Sequence, residues 1–251
     1  MDLRIVTAAQ RPDLKAQFAT DGLDPWPTYM GMDPIGELYY SDVRTAHPEY
    51  VLLAHDAAAP DQAVARAYCV PFSWDGDPVA GELPVDGWDG VIWRAARDRQ
   101  LGRAPDLVSA LEITVAADLL GTGLSAVMLR AMRDNVSRLG HRDLVAPVRP
   151  NHKHLSPRMP IDRYAALTRS DGLPQDPWLR VHVRAGGRIV GTTPRAMVIP
   201  GTLQEWRSWT GLPFNESGDV EVPEALAPVH CSVEQGHAVY VEPGVWVHHR
   251  L

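Results

Sequence analysis

SALEITVAADLLGTGLSAVMLRAMRDNVSRLG, residues Ser109 to Gly140, passes from one hydrophobic periodicity to another within a few residues. Ser109 to Ala117 is rich in β-branched and small apolar residues, the composition of a mostly buried strand. Gly121 and Gly123 follow, letting the backbone turn sharply and approach a bound group with no Cβ in the way. Leu124, Val127, Met128, Ala131, Met132, Val136 and Leu139 then recur at helical spacing, with Arg130, Arg133, Asp134 and Arg138 on the opposite face and Gly140 as a C-terminal stop. A strand feeding a glycine turn at a helix N-terminus makes an anion site, because unpaired N–H groups and the positive end of the helix dipole converge there.

The identity of that anion governs the functional reading. Two glycines do not make the three-glycine dinucleotide fingerprint, and no Gly-Lys-Ser/Thr follows, which excludes a nucleoside-triphosphate loop. The run Asp118-Leu119-Leu120-Gly121-Thr122-Gly123 resembles the acyl-coenzyme A signature of the GNAT N-acetyltransferase superfamily, Gln/Arg-x-x-Gly-x-Gly/Ala. It departs from that signature at Asp118, where the family usually carries Gln or Arg. The resemblance implies a mixed α/β (α+β) fold, with a mostly antiparallel central sheet flanked by helices. It also implies acetyl-CoA or another acyl-CoA as co-substrate.

The order of elements along the chain extends the resemblance. Leu3 to Ala8 reads as a strand, Pro12 to Ala19 as a helix, and Asp21 to Pro34 as a loop rich in Pro, Gly and large side chains. Ile35 to His47 reads as a helix ended by Pro48, and Val51 to His55 and Ala63 to Pro71 as paired strands. An acidic, turn-rich stretch, Ser73 to Gly90, leads into a helix over Val91 to Leu101. Beyond the glycine turn come a strand over Leu144 to Arg149, a helix ending at Gly187, and strands over Ile189 to Ile199 and Ala238 to Val247. We expect one GNAT-like domain over residues 1–251, with insertions at about 73–106 and 200–235.

Composition bounds the function classes. The 251 residues carry a formal net charge of −7, which argues against nucleic acid as a partner. Lys15 and Lys153 are the only lysines, and this arginine bias with abundant Ala, Gly and Pro suggests a GC-rich bacterial genome. Cys69 and Cys231 lack metal spacing and read as buried reduced thiols, so a cytoplasmic protein is expected, without a signal peptide or a membrane span.

The resemblance also assigns roles. The pantetheine arm would lie where strand Glu112–Ala117 splays from strand Leu144–Pro150, pairing with backbone groups around Val115 and Ala117. N–H groups from Leu120, Gly121, Thr122, Gly123, Leu124 and Ser125 would hold the pyrophosphate, and Asn151 would contact the pantetheine. Glu112 would be the general base, Tyr164 the general acid to the departing thiolate, and His152 or His154 an alternative proton acceptor. The plainer readings are a strand-edge carboxylate, a packed tyrosine, solvated histidines and a turn-capping Asn151. Trp26, Tyr29 and Met30, with Met32, Tyr39 and Tyr40, would line the pocket of a small-molecule amine. Asp75, Asp77, Glu82, Asp86 and Asp89 would either attract a cationic amine or form a solvated loop. The insertions could serve as a lid, a homodimer contact or a docking face.

Two alternatives remain at this stage. One is a GNAT-like protein that binds acyl-CoA without turnover. The other is a cupin-like metal site using His230, His237, Glu242, His248 and His249. The spacing of Glu242-Pro243-Gly244-Val245-Trp246-Val247-His248 is off by one from the second cupin motif, and no upstream His-x-His appears, so no metal is expected.

Overall fold

The computed structural model describes residues 1–14 and 26–251. The helix expected from Pro12 to Ala19 therefore lies largely outside the described residues, as does the start of the loop expected from Asp21. The strands are β1 (Leu3–Thr7), β2 (Val51–Asp56), β3 (Ala59–Phe72), β4 (Leu107–Val115), β5 (Asp143–Val148), β6 (Arg188–Thr202), β7 (Gly218–Val220), β8 (Val229–Ser232) and β9 (His237–Arg250). The α-helices are α1 (Ser41–Ala46), α2 (Gly87–Leu101), α3 (Leu124–Arg138), α4 (Ile161–Ala165), α5 (Pro177–Arg184) and α6 (Leu203–Thr210). A 3-10 turn over Thr28–Met32 and a wide π turn over Gly36–Tyr40 precede α1.

Among the described residues, nine strands join one sheet in the order β1-β2-β3-β4-β5-β9-β8-β7, with β6 on the other edge of β9. Neighbouring strands run antiparallel except β4 and β5, so the sheet is mixed and mostly antiparallel, as expected. Alternation along β4 and β5 sends side chains to two opposite cores. Val108, Ala110, Leu144, Ala146 and Val148 meet Leu124, Met128, Met132 and Val136 of α3, whereas Leu107 and Val145 meet Val91, Ile92 and Ala95 of α2. A third cluster at the β6–β9 end gathers Trp206, Phe214 and Tyr240.

One irregularity reverses the alternation. Cys69 of β3 faces Ala110 and Tyr68 faces Glu112, so Leu111 is an extra residue in β4. This bulge moves Ile113 and Val115 onto the α3 face and turns Glu112 to the opposite side. Strict alternation from Val108 and Ala110 would have placed Glu112 under α3.

The two stretches marked as insertions are structured parts of this sheet's surroundings. The first carries α2, whose Gly87 approaches β6 so closely that an added Cβ would lie 2.7 Å from Ala196 Cα. The second carries α6, the edge strand β7 and its neighbour β8. Among the described residues, no helix is long and apolar enough to cross a membrane.

Candidate active site

The site opens where the sheet comes apart. β4 and β5 pair only at Val108–Leu144 and Ser109–Val145, then diverge. A second gap lies in β9: β8 pairs with it up to Val239 and β5 from Val245 onward. Pro243, which has no N–H to leave unpaired, sits in that gap. Both gaps face one cleft of about 890 Å³, whose walls include Leu111, Glu112, Ile113 and Val115 on one side and Ala146, Val148, Arg149 and Gly244 on the other.

One end of the cleft is the glycine turn. Gly121 (φ 77°) and Gly123 (φ 86°) occupy left-handed backbone conformations that L side chains avoid. A Cβ at either position would meet nothing within 4 Å, so the space before the turn is open. Gly123 caps α3, and its carbonyl accepts the N–H groups of Ala126 and Val127. The N–H groups of Leu124 and Ser125 thus start the helix without a carbonyl one turn back. Leu120, Gly121, Ser125, Val115 and Asn151 line the cleft. The Leu124 side chain is buried in the core instead, and the Thr122 hydroxyl donates to Leu119 O at 2.7 Å. Ala117 lies in a 3-10 turn over Ala117–Leu119 rather than in the strand. These residues present backbone, not side chains. Asp118, where the chain departs from the signature, lies in the same turn, exposed and outside the cleft wall. The open strand edge, paired glycines and unpaired helix-start N–H groups fit the pantetheine and pyrophosphate of an acyl-CoA.

Glu112 lies at the middle of the cleft with its side chain 7% exposed. Arg66 Nε donates to one carboxylate oxygen at 2.5 Å and Thr114 Oγ1 to the same oxygen at 2.6 Å. Tyr40 OH donates to the other at 2.6 Å. Glu112 is therefore a clamped internal carboxylate, not a solvated strand-edge one. Spacing could not reveal Arg66 and Tyr40 as its partners, because they come from 46 and 72 residues away. Burial and the neighbouring Glu112 charge push the Tyr40 phenol well above its ordinary value.

Two expected catalytic residues require correction. Tyr164 is buried and donates to Asp176 Oδ2 at 3.0 Å, outside the cleft wall. Asp176 also accepts the N–H groups of His152, Trp178 and Leu179, so it pins the post-β5 loop to the start of α5. Tyr164 braces that junction and does not line the cleft. The exposed His152 contributes its backbone to the same junction, and its side chain does not line the cleft.

The other end of the cleft is built from residues 26–40. Trp26, Met30, Met32 and Tyr40 line it, and the Arg149 guanidinium lies over the Trp26 ring, 5.6 Å from its centroid. Tyr29 does not belong there: it packs against Trp206 and Tyr240 in the core and donates to Pro223 O. Arg149 also bonds Glu242 at 2.9 Å, and Tyr240 OH donates to that same carboxylate oxygen at 2.8 Å.

The acidic stretch divides by role. Asp75 and Asp77 are exposed, and Asp86 holds Trp93 and Arg94. Asp89 is buried beside Asp33, a cleft residue that spacing did not single out. The sequence carries a signal for Asp33 only as the cap of a helix, Asp followed by Pro34.

The C-terminal histidines are dispersed. His230 pairs with Asp219, His248 with Asp143 and His249 with His182. Among the described residues, no group of three His, Cys, Asp or Glu could hold a metal ion, and β9 is a central strand of this sheet rather than a cupin barrel strand.

No protein-family model matches the chain. It is 29% identical to Arginine N-acetyltransferase avaD of Aspergillus versicolor, over 98% of this chain and 93% of that protein. Its fold is similar to the loading GNATL domain of CurA from Lyngbya majuscula (17% identity, TM-score 0.58, 99% of this chain and 96% of that one). It is also similar to the GphF GNAT-like decarboxylase in complex with isobutyryl-CoA (15% identity, TM-score 0.56, 100% of this chain and 99% of that one).

Proposed function

We propose that the chain is an N-acyltransferase of the GNAT superfamily that moves an acetyl or other acyl group from acyl-CoA to the amine of a small acceptor. The observation that carries this reading is the single cleft joining the splayed β4–β5 edge, the glycine turn and the residue 26–40 loop. The acyl thioester supplies an activated carbonyl. The open edge of β4 beyond Ser109 offers backbone N–H groups where that carbonyl's charge develops. The helix start at Gly123–Ser125 holds the pyrophosphate, and Asn151 meets the arm between.

Glu112 accepts the proton that the acceptor amine must lose, and Arg66, Thr114 and Tyr40 fix its carboxylate in place. With Tyr164 turned away, Tyr40 is the phenol nearest the chemistry, and its high affinity for its proton suits a hydrogen-bond donor more than an acid. The acceptor enters between Trp26, Met30 and Trp88, and similarity to an arginine N-acetyltransferase supports a small cationic amine. The decarboxylase neighbour shows that this fold serves more than one acyl-CoA chemistry, so activity must be measured.

Calorimetric titration with acetyl-CoA, followed by thiol release in the presence of arginine and agmatine, tests the proposal. Coenzyme binding with amine-dependent thiol release is expected. Binding without release from any amine would leave an acyl-CoA-binding protein without transferase turnover.

A further inference from the structure

Three arginines line the cleft, Arg44, Arg66 and Arg149, and their charges are met differently. Arg66 pairs with Glu112, and Arg149 pairs with Glu242. Arg44 of α1 is half-buried, yet among the described residues it forms no ion pair with a carboxylate. Glu37 lines the same wall without closing onto it.

The Arg44 guanidinium is nonetheless held in place. Tyr40 precedes it by one helical turn, and helical side chains lean back toward the N-terminus, so the Arg44 stem runs over the Tyr40 ring. Its guanidinium carbon lies 5.6 Å from the Tyr40 ring centroid and 5.3 Å from that of Tyr68. A ring face offsets part of a positive charge but cannot accept the paired, in-plane N–H groups of a guanidinium. That fork is free for an anion that enters the cleft.

The position of Arg44 selects the anion. Val43, its neighbour on α1, packs with α2, on the face of the sheet to which the β4 bulge turns Glu112. The glycine turn and α3 cover the opposite face, so the phosphates of the coenzyme are not the partner. Arg44 and Glu112 share Tyr40 as a neighbour: its ring lies against the guanidinium, and its OH donates to the Glu112 carboxylate at 2.6 Å. An amine delivered to Glu112 therefore has a fixed cation one tyrosine away.

We propose that Arg44 anchors a carboxylate of the acceptor, and that the acceptor is an α-amino acid acylated on its α-nitrogen. An α-amino acid carries amine and carboxylate on one carbon, which matches the adjacent Glu112 and Arg44. The guanidinium donates two N–H groups to the carboxylate, and the acceptor's side chain extends toward Met30 and Trp26. Glu112 takes one amine proton as the C–N bond forms and the thioester C–S bond breaks. The leaving thiolate takes a proton from solvent, to which Glu112 returns its own. This deepens the acyl-transfer reading and rests on it for the role of Glu112.

The test pairs each amino acid with the amine that lacks only its carboxylate: arginine with agmatine, and tyrosine with tyramine. Both pairs are measured by thiol release from acetyl-CoA and by calorimetry. In the wild type, kcat/KM for the amino acid should exceed that for its amine by ~100-fold, the effect of a charge-assisted, bidentate contact. Arginine methyl ester keeps the guanidinium and the α-amine but not the negative charge, and should behave as agmatine does. Arg44→Gln should collapse the amino acid-to-amine ratio to within a few-fold of one. Arg44→Lys should restore part of it, as a point charge without the fork. An Arg44 that only braces Tyr40 and Tyr68 would lower both members of a pair alike and leave the ratio standing.

Equal use of amine and amino acid by the wild type would overturn the proposal, and this comparison needs no variant. So would acylation of the amines alone, no binding of either amino acid, or a ratio unchanged in Arg44→Gln. Arg44-dependent binding of an amino acid without thiol release would leave the anchor standing and refute the acyl-transfer reading instead.

Discussion

Tyr164 and Glu112 show how a side chain's partners decide its role. Tyr164 spends its hydroxyl on Asp176, and burial beside that carboxylate pushes its phenol above the ordinary value. Tyr164→Phe should therefore cost about 1 kcal/mol of stability in denaturant unfolding and leave kcat close to wild type. Glu112 faces the cleft, so Glu112→Gln should lower kcat by about 10²–10⁴-fold with a much smaller change in acetyl-CoA affinity. The Asp33–Asp89 pair adds a stability signature. Both acids bind their protons more tightly folded than unfolded. Their contribution is thus full below the ordinary carboxylate value and is lost as pH rises through about 6 and about 8. The melting temperature of the free protein should fall over that window, and the fall should shrink in Asp89→Asn.

At the level of elements, the glycine turn and the β4 bulge do the positioning. Gly121 and Gly123 hold left-handed conformations and leave the space before α3 empty. Gly123→Trp fills that space and adds backbone strain of about 1–2 kcal/mol. Acetyl-CoA affinity should drop at least ~10-fold by calorimetry; retained affinity would refute the pyrophosphate assignment. The bulge at Leu111 turns Glu112 away from α3 toward Arg66 and Tyr40, and without it the cleft would lose its central carboxylate. Removing Arg66 should be costly in turn, about 3–5 kcal/mol, because a buried charge would lose its partner.

Across the whole molecule, buried polar pairs tie distant elements to the sheet. His182 of α5 and His249 of β9 share a 2.9 Å hydrogen bond, and burial holds them down at about 3 and about 4. The unfolded chain takes up their protons below about 6.5 while the fold does not. Their contribution is present above that value and is lost as pH falls toward 4. Stability should thus decline on the acid side as well, and His249→Gln should flatten the slope between pH 6.5 and 4 in thermal melts.

What the chain alone determined was whatever local periodicity encodes. The strand–glycine turn–helix unit and the element order are written in hydrophobic spacing and in where glycine and proline fall, and each depends on neighbours a few residues away; the mixed sheet was implied by the family resemblance that this unit carries. Val115, Gly121, Ser125, Asn151, Trp26 and Met30 were assigned by the family resemblance that this unit carries, and they line the cleft. The tertiary structure alone decided which polar atoms meet across long separations. Nothing local marks Asp33 as the partner of Asp89, directs Tyr164 to Asp176, buries Tyr29 beneath Trp206, or inserts the extra residue that reverses β4. These outcomes follow from burial: a polar group removed from water must find its partner wherever the fold brings one.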